Sequence, residues 1–198
     1  MQRIAYANPR FGPVHLLKVD LSDGYYRVPL NSRGALNLAV AMPSTRRLPL
    51  VAIPMVLPMG WLESPPYFCM ATETIADYTN AQHLAPSTPH FQESEAAALD
   101  APRFYRTPVP FMPPQLTFPQ PLDFVDVYID DFMALAQTKP VATALRRRLL
   151  YNINDVFRAN SLVSDGSEPV RREPISEKKL AQGDAIDEVL AAAIDGIL

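Results

Sequence analysis

The chain has 198 residues, 48% of them hydrophobic and 20% charged, with a formal net charge of −3. This is an ordinary globular composition, long enough for one domain or one domain with a tail, and its acidic total gives no support to a nucleic-acid-binding face of the usual basic kind. The only cysteine, Cys69, excludes an intrachain disulfide and a cysteine-built zinc site, and points to a reducing, intracellular setting.

The opening MQRIAYANPR lacks the apolar core of a secretory signal. VHLLKVD (residues 14–20) reads as a strand that ends in an acid. LSDGYYRVPL follows, with Gly24 as a local breaker and Pro29 closing the segment. The apolar runs at 35–41 and 50–56 are expected to be paired strands around the turn PSTRR, with Pro54 confining the second to an edge or a bulge. The longest apolar stretch, 48–62, is broken by Pro49, Pro54 and Pro58 and is not a membrane span. From Glu63 the period changes. Phe68, Ala71, Ile75 and Tyr78 recur every three or four residues, which predicts a helix capped by Ser64 with Pro65 at its first position.

Proline is the compositional outlier, at 21 residues. Nine prolines fall in residues 85–121, which read as a long irregular insertion between two core elements, a surface loop. LDFVDVYIDDFMALAQ (122–137) reads as strand, tight turn, strand, with Asp130 and Asp131 at the turn. Residues 139–157 form an amphipathic helix with Val141, Leu145, Leu149 and Ile153 in one stripe. Arg146, Arg147 and Arg148 lie largely off that stripe, as a solvated face. Residues 161–198 are expected to be a polar, partly disordered tail.

Two adjacent acids inside an apolar run need a reason, because a buried charge is costly unless it is paired or binds metal. Asp20 ends one strand, and Asp130 and Asp131 end another. If the strands are neighbours, three carboxylates meet, and as bare anions they disfavour one another's ionisation. Magnesium removes the conflict, since it takes one or two carboxylates together with phosphate oxygens. Two such ions support in-line phosphoryl transfer. His15, His83 and His90 are too scattered for a histidine metal site.

The motifs in order carry a resemblance. KVDLSDGYYRVPL (18–30) is similar to motif A of retroelement reverse transcriptases, LPMGWLESPPYF (57–68) to their motif B, and VYIDDF (127–132) to their motif C. EPISEKKLAQGDA (173–185) resembles, less closely, the stretch after the palm in Ty3/gypsy-like elements. The resemblance implies an α+β polymerase palm, an antiparallel sheet backed by helices, over residues 1–160. The insertion at 85–121 lies within it, and a degraded primer-grip or connection segment follows at 161–198. The family's fingers, thumb and RNase H fall outside the resembling stretch, so the chain is expected to be a fragment that works with them.

The roles implied by the resemblance are specific. Asp20, Asp130 and Asp131 would be the catalytic ligands of two Mg²⁺ ions, with Mn²⁺ as a substitute. Leu21 would offer its carbonyl to one ion. Asp23 and Gly24 would present N–H groups to the incoming triphosphate, and Tyr25 would pack under its sugar. Met59 and Gly60 would lie over nucleotide and template. Tyr128, Trp61 and Ser64 would contact primer or template. The partners would be a primed RNA or DNA template and deoxynucleoside triphosphates, with no membrane. The residues leave other readings open: Asp23 and Ser64 as helix caps, Gly60 as a turn residue, Tyr25, Tyr128 and Trp61 as packing aromatics, and Asp126 as a strand-surface acid. The activity implied is RNA-directed DNA polymerisation. Its alternatives are a non-catalytic retroelement remnant or an interaction module that keeps the palm as a scaffold, and a metal-dependent hydrolase.

Overall fold

The computed structural model describes residues 2–43, 50–93, 116–157, 160–162 and 170–175. Along the chain its elements are α1 (Gln2–Ala5), β1 (Val14–Asp20), α2 (Ser32–Asn37), β2 (Val40–Met42), β3 (Leu50–Ala52), α3 (Ser64–Ala81), β4 (Asp123–Tyr128), β5 (Asp131–Gln137), α4 (Lys139–Val156), β6 (Asn160–Leu162) and β7 (Val170–Arg172). Short 3-10 turns occupy Pro9–Phe11 and Gly24–Arg27. Among the described residues this is an α+β fold with small antiparallel sheets and four helices. Most of the turn PSTRR, residues 94–115 of the proline-rich stretch and most of the C-terminal tail, including its KKLAQGD and DEVLAAAIDGIL segments, lie outside the described residues.

The main sheet has the order β1-β5-β4, so β5 is central and antiparallel to both neighbours. The two-residue period of a strand sorts its faces. Leu17, Val19, Val125, Phe132, Ala134 and Ala136 point to one side and are buried. There they meet Phe68 and Ile75 of α3 and Leu145, Leu149 and Ile153 of α4. The other face carries Lys18, Asp20, Asp126, Tyr128 and Asp131. Its lower end is covered. Gln137 Nε2 donates to the carbonyls of Asn8 and Gly12 at 3.0 and 2.8 Å, and the Arg3 guanidinium lies 3.4 Å over the Phe124 ring. Its upper end, at Tyr128, is open.

Several local expectations are corrected. Residues 35–37 close α2 instead of extending a strand, because the Asn31 side chain caps that helix by accepting from Gly34 N–H at 2.7 Å. β2 and β3 do pair, but over three residues each, and β3 stops before Pro54, which has no N–H for a ladder. Ser64 is the first residue of α3 and not its cap. Glu63 holds the cap position without a side-chain bond. The buried side of α3 runs through Phe68, Thr72, Ile75, Ala76 and Thr79, which leaves Tyr78 exposed. Threonine can sit there because its hydroxyl bonds back to the helix; Thr79 Oγ1 donates to Ile75 O at 2.7 Å.

The arginine run is not a solvated face. Arg146 and Arg148 are 4% and 3% exposed. Arg148 pairs with Asp123 at 2.6 Å, Arg147 pairs with Glu93 at 2.8 Å, and Arg146 lies 3.7 Å from the same carboxylate. Glu93 comes from the proline-rich stretch, whose described start is therefore anchored and not a free surface loop. His90, Gln92 and Glu93 are all buried there. Part of the stretch expected to be a tail belongs to the core. Ile175 is 2% exposed within the main core and bridges to Leu21. Among the described residues, no helix is long and apolar enough to cross a membrane.

The anchor carries a pH dependence. His90 Nδ1 accepts from Gln92 N–H at 3.2 Å, and its Nε2 lies 2.7 Å from the Asn154 amide. That arrangement suits a neutral ring. Burial pushes the His90 pKa below 6.5, although Glu93 and Glu173 pull it upward. The native state thus binds fewer protons than the unfolded state just below that value, so stability falls with acidification from there. His15 is shifted the same way by burial and Lys139. Glu93 acts only below 4.5, because hydrogen bonding from Arg147 lowers its pKa. The melting temperature is expected to drop between about pH 7.5 and about pH 5.5. His90→Gln should make that drop smaller, leaving the share of His15. An unchanged drop would show that His90 is not coupled to folding.

Candidate metal centre

The hairpin that carries the acidic pair is held in an unusual backbone state. Tyr128 pairs with Asp131, so Ile129 and Asp130 form a two-residue turn. Such turns need positive φ, which glycine and asparagine supply readily. Here Ile129 supplies it, at φ 59°. A β-branched residue held there costs on the order of 1–3 kcal/mol. The partly buried Ile129 side chain packs against the core, and the Asp130 carbonyl accepts from Leu21 N–H at 3.1 Å. These contacts offset the strain and tie the tip of the hairpin to the end of β1.

Register does the rest. Asp20 stands directly opposite Asp131 across the β1–β5 ladder, and Asp130 is the next residue. One ligand oxygen from each of the three lies within 4.8 Å of the others. Asp20 is 2% exposed, and Asp130 and Asp131 are half-buried. Like charges directly opposite on a sheet are destabilising, so this arrangement calls for a cation. Lys18 Nζ supplies one at 2.8 Å from Asp131 Oδ2. The other oxygen, Asp131 Oδ1, is buried and has no hydrogen-bond partner among the described residues. An all-oxygen set with an unused buried carboxylate oxygen fits a hard divalent ion such as Mg²⁺ or Mn²⁺.

The turn after β1 forms a wall of the site. Asp23 and Gly24 both have positive φ, 64° and 37°. A Cβ on Gly24 would stand 4.0 Å from Asp130 Oδ2, so the Gly24 backbone is brought close to the triad. Asp23 makes no capping bond, and its carboxylate lies 3.9 Å from Arg27. Tyr25 stacks edge-on against Phe68, with ring centroids 5.0 Å apart. Burial, then the nearby Cys69 and Asp130, push its phenol pKa up, so it remains a hydrogen-bond donor at neutral pH. Leu21 is buried in the core beside the triad.

The motif B residues divide. Ser64 is 1% exposed and its hydroxyl donates to Pro58 O at 2.7 Å. Ser64 thus ties the start of α3 to the loop that carries Met59 and Gly60. Met59 is exposed, and a Cβ on Gly60 would meet nothing within 4 Å. Trp61 is partly buried and stacks on Tyr67 at 5.9 Å. Tyr128, 75% exposed, lies opposite Asp131 on the open face.

Sequence reasoning missed three supports. Lys18 is one; its spacing of two from Asp20 on a strand was the available signal. Arg27 is another. It is buried, and its Nε and Nη2 donate to Ser22 O and Oγ at 2.7 and 2.8 Å and also to Glu173 O. The third is the strut at Glu173–Ile175, where Ser22 N–H donates to Pro174 O at 2.8 Å. No family model matches the chain, and no curated protein matches it.

Proposed function

We propose that the chain is the palm of a reverse transcriptase of the retroelement type. It would extend a primer on an RNA template by attack of the primer 3′-hydroxyl on the α-phosphate of a deoxynucleoside triphosphate, with loss of pyrophosphate. The observation that carries this reading is the direct pairing of Asp20 with Asp131, with Asp130 at the strained turn beside them. Asp20, Asp130 and Asp131 would hold the divalent ions. When bound, such ions make the attacking hydroxyl more acidic and stabilise charge on the leaving oxygen.

The chain's own residues supply the rest. The backbone of Asp23 and Gly24 has the turn geometry and the proximity to bring N–H groups to a triphosphate. Tyr25, set firmly by Phe68, gives the sugar a rigid aromatic floor. The open sheet face at Tyr128 leaves room for a primer end. Met59, on the exposed loop, is free to lie over a template base.

The test is primer extension by the whole chain on an RNA template, with deoxynucleotides and Mg²⁺. Extension that needs Mg²⁺ and template is expected. Phosphoester cleavage without added nucleotide would favour a hydrolase. No extension, with divalent ions still bound at the triad, would favour a scaffold that has lost its chemistry.

A further inference from the structure

We propose that Lys18 is the site's built-in counter-ion, occupying Asp131 in place of a divalent cation and competing with one for it. This rests on the metal reading above. Lys18 and Asp20 are two apart on β1 and so share a face, and Asp131 stands opposite Asp20. Asp131 is therefore the diagonal neighbour of Lys18, within reach of a long side chain. The ion pair at 2.8 Å uses that reach.

Charge explains why the lysine is there. An ammonium beside three carboxylates reduces their mutual repulsion in the folded chain. The same ammonium is an obstacle to metal. A dication on Asp131 and an ammonium on Asp131 repel strongly at such range. The two occupants are thus alternatives. Lys18 is well built to leave, because its side chain is 27% exposed on a flexible stem. An acceptor is at hand: Lys18 and Asp126 both flank Met133 on the open face, and Asp126 is exposed. While Lys18 holds Asp131 Oδ2, the other oxygen, Oδ1, is buried and without a hydrogen-bond partner among the described residues.

Mn²⁺ titration of the whole chain, followed by electron paramagnetic resonance, tests this without reference to activity. Lys18→Met should bind Mn²⁺ about fivefold more tightly than wild type, the factor expected when a partly exposed ion pair no longer competes. Lys18→Arg should bind no more tightly than wild type, since the charge remains. Asp131→Asn should bind far more weakly than either. Equal or weaker binding by Lys18→Met, with Asp131→Asn still defective, overturns the competition alone. If no variant, Lys18→Met included, binds more Mn²⁺ than Asp130→Asn does, the metal reading falls and this inference with it. Circular dichroism confirms that each variant is folded.

Discussion

On the proposed reading, changing Asp130 to asparagine is expected to remove divalent-cation binding and to lower any nucleotidyl transfer by at least about a hundred- to a thousandfold, while the metal-free chain stays as stable as before or becomes more so. The two effects have opposite causes. In function, Asp130 supplies one of three oxygens clustered within 4.8 Å. In stability, its charge stands against those of Asp20 and Asp131, so neutralising it relieves repulsion. The turn itself should survive, because the bond from Leu21 N–H at 3.1 Å goes to the Asp130 carbonyl and not to its side chain. Thermal unfolding with and without Mg²⁺ checks this. A ligand at ten times its dissociation constant adds about 1.4 kcal/mol to native stability. For a chain of this size that is roughly 3–5 °C. Wild type should show this rise and Asp130→Asn should not. An equal rise in both would place the metal elsewhere.

Phe68→Ala should be the most damaging single change to the fold, at about 4 kcal/mol, or roughly 10 °C in melting temperature. Phe68 is fully buried on α3. It meets Tyr25 edge-on at 5.0 Å and Phe157 at 5.9 Å, so it joins the turn after β1 to α3 and to the end of α4. Removing the ring opens a cavity at that junction. The same change should weaken Mn²⁺ binding although no ligand is altered, because Tyr25 loses the support that steadies the Gly24 backbone beside Asp130. Phe68→Leu, closer in volume, should recover most of the stability. Urea denaturation gives the energies. A loss below about 1.5 kcal/mol for Phe68→Ala would show that the site collapses around the gap.

The legible parts of this fold are those set by local periodicity. Alternation along VHLLKVD and FVDVYIDDFMALA marked the strands to within a residue or two, because a half-buried strand must turn every second side chain inward. The spacing of Leu145, Leu149 and Ile153 marked α4 in the same way. Periodicity failed where a polar residue could be satisfied by a distant partner. Arg146 and Arg148 look like surface residues until Glu93 and Asp123 are placed beside them. Ser64 looks like a cap until Pro58 O takes its hydroxyl. It failed as well where a local cap overrode it: the run at 35–37 looks like a strand until Asn31 caps a helix there.

The sequence alone determined that Asp20, Asp130 and Asp131 would stand at strand ends, since acids cannot continue an apolar strand into a core without a partner. Only the tertiary structure decided that those ends coincide. Asp20 and Asp131 are far apart in the chain, and their pairing follows from the antiparallel register of β1 on β5, where a slip of one residue would turn one carboxylate to the opposite face. It also decided that Lys18 reaches Asp131 and that Ile175 pairs with Leu21 in an antiparallel bridge. The physical reason is one of range. Side-chain period acts between neighbours in the chain, whereas burial, hydrogen bonding and charge act between neighbours in space.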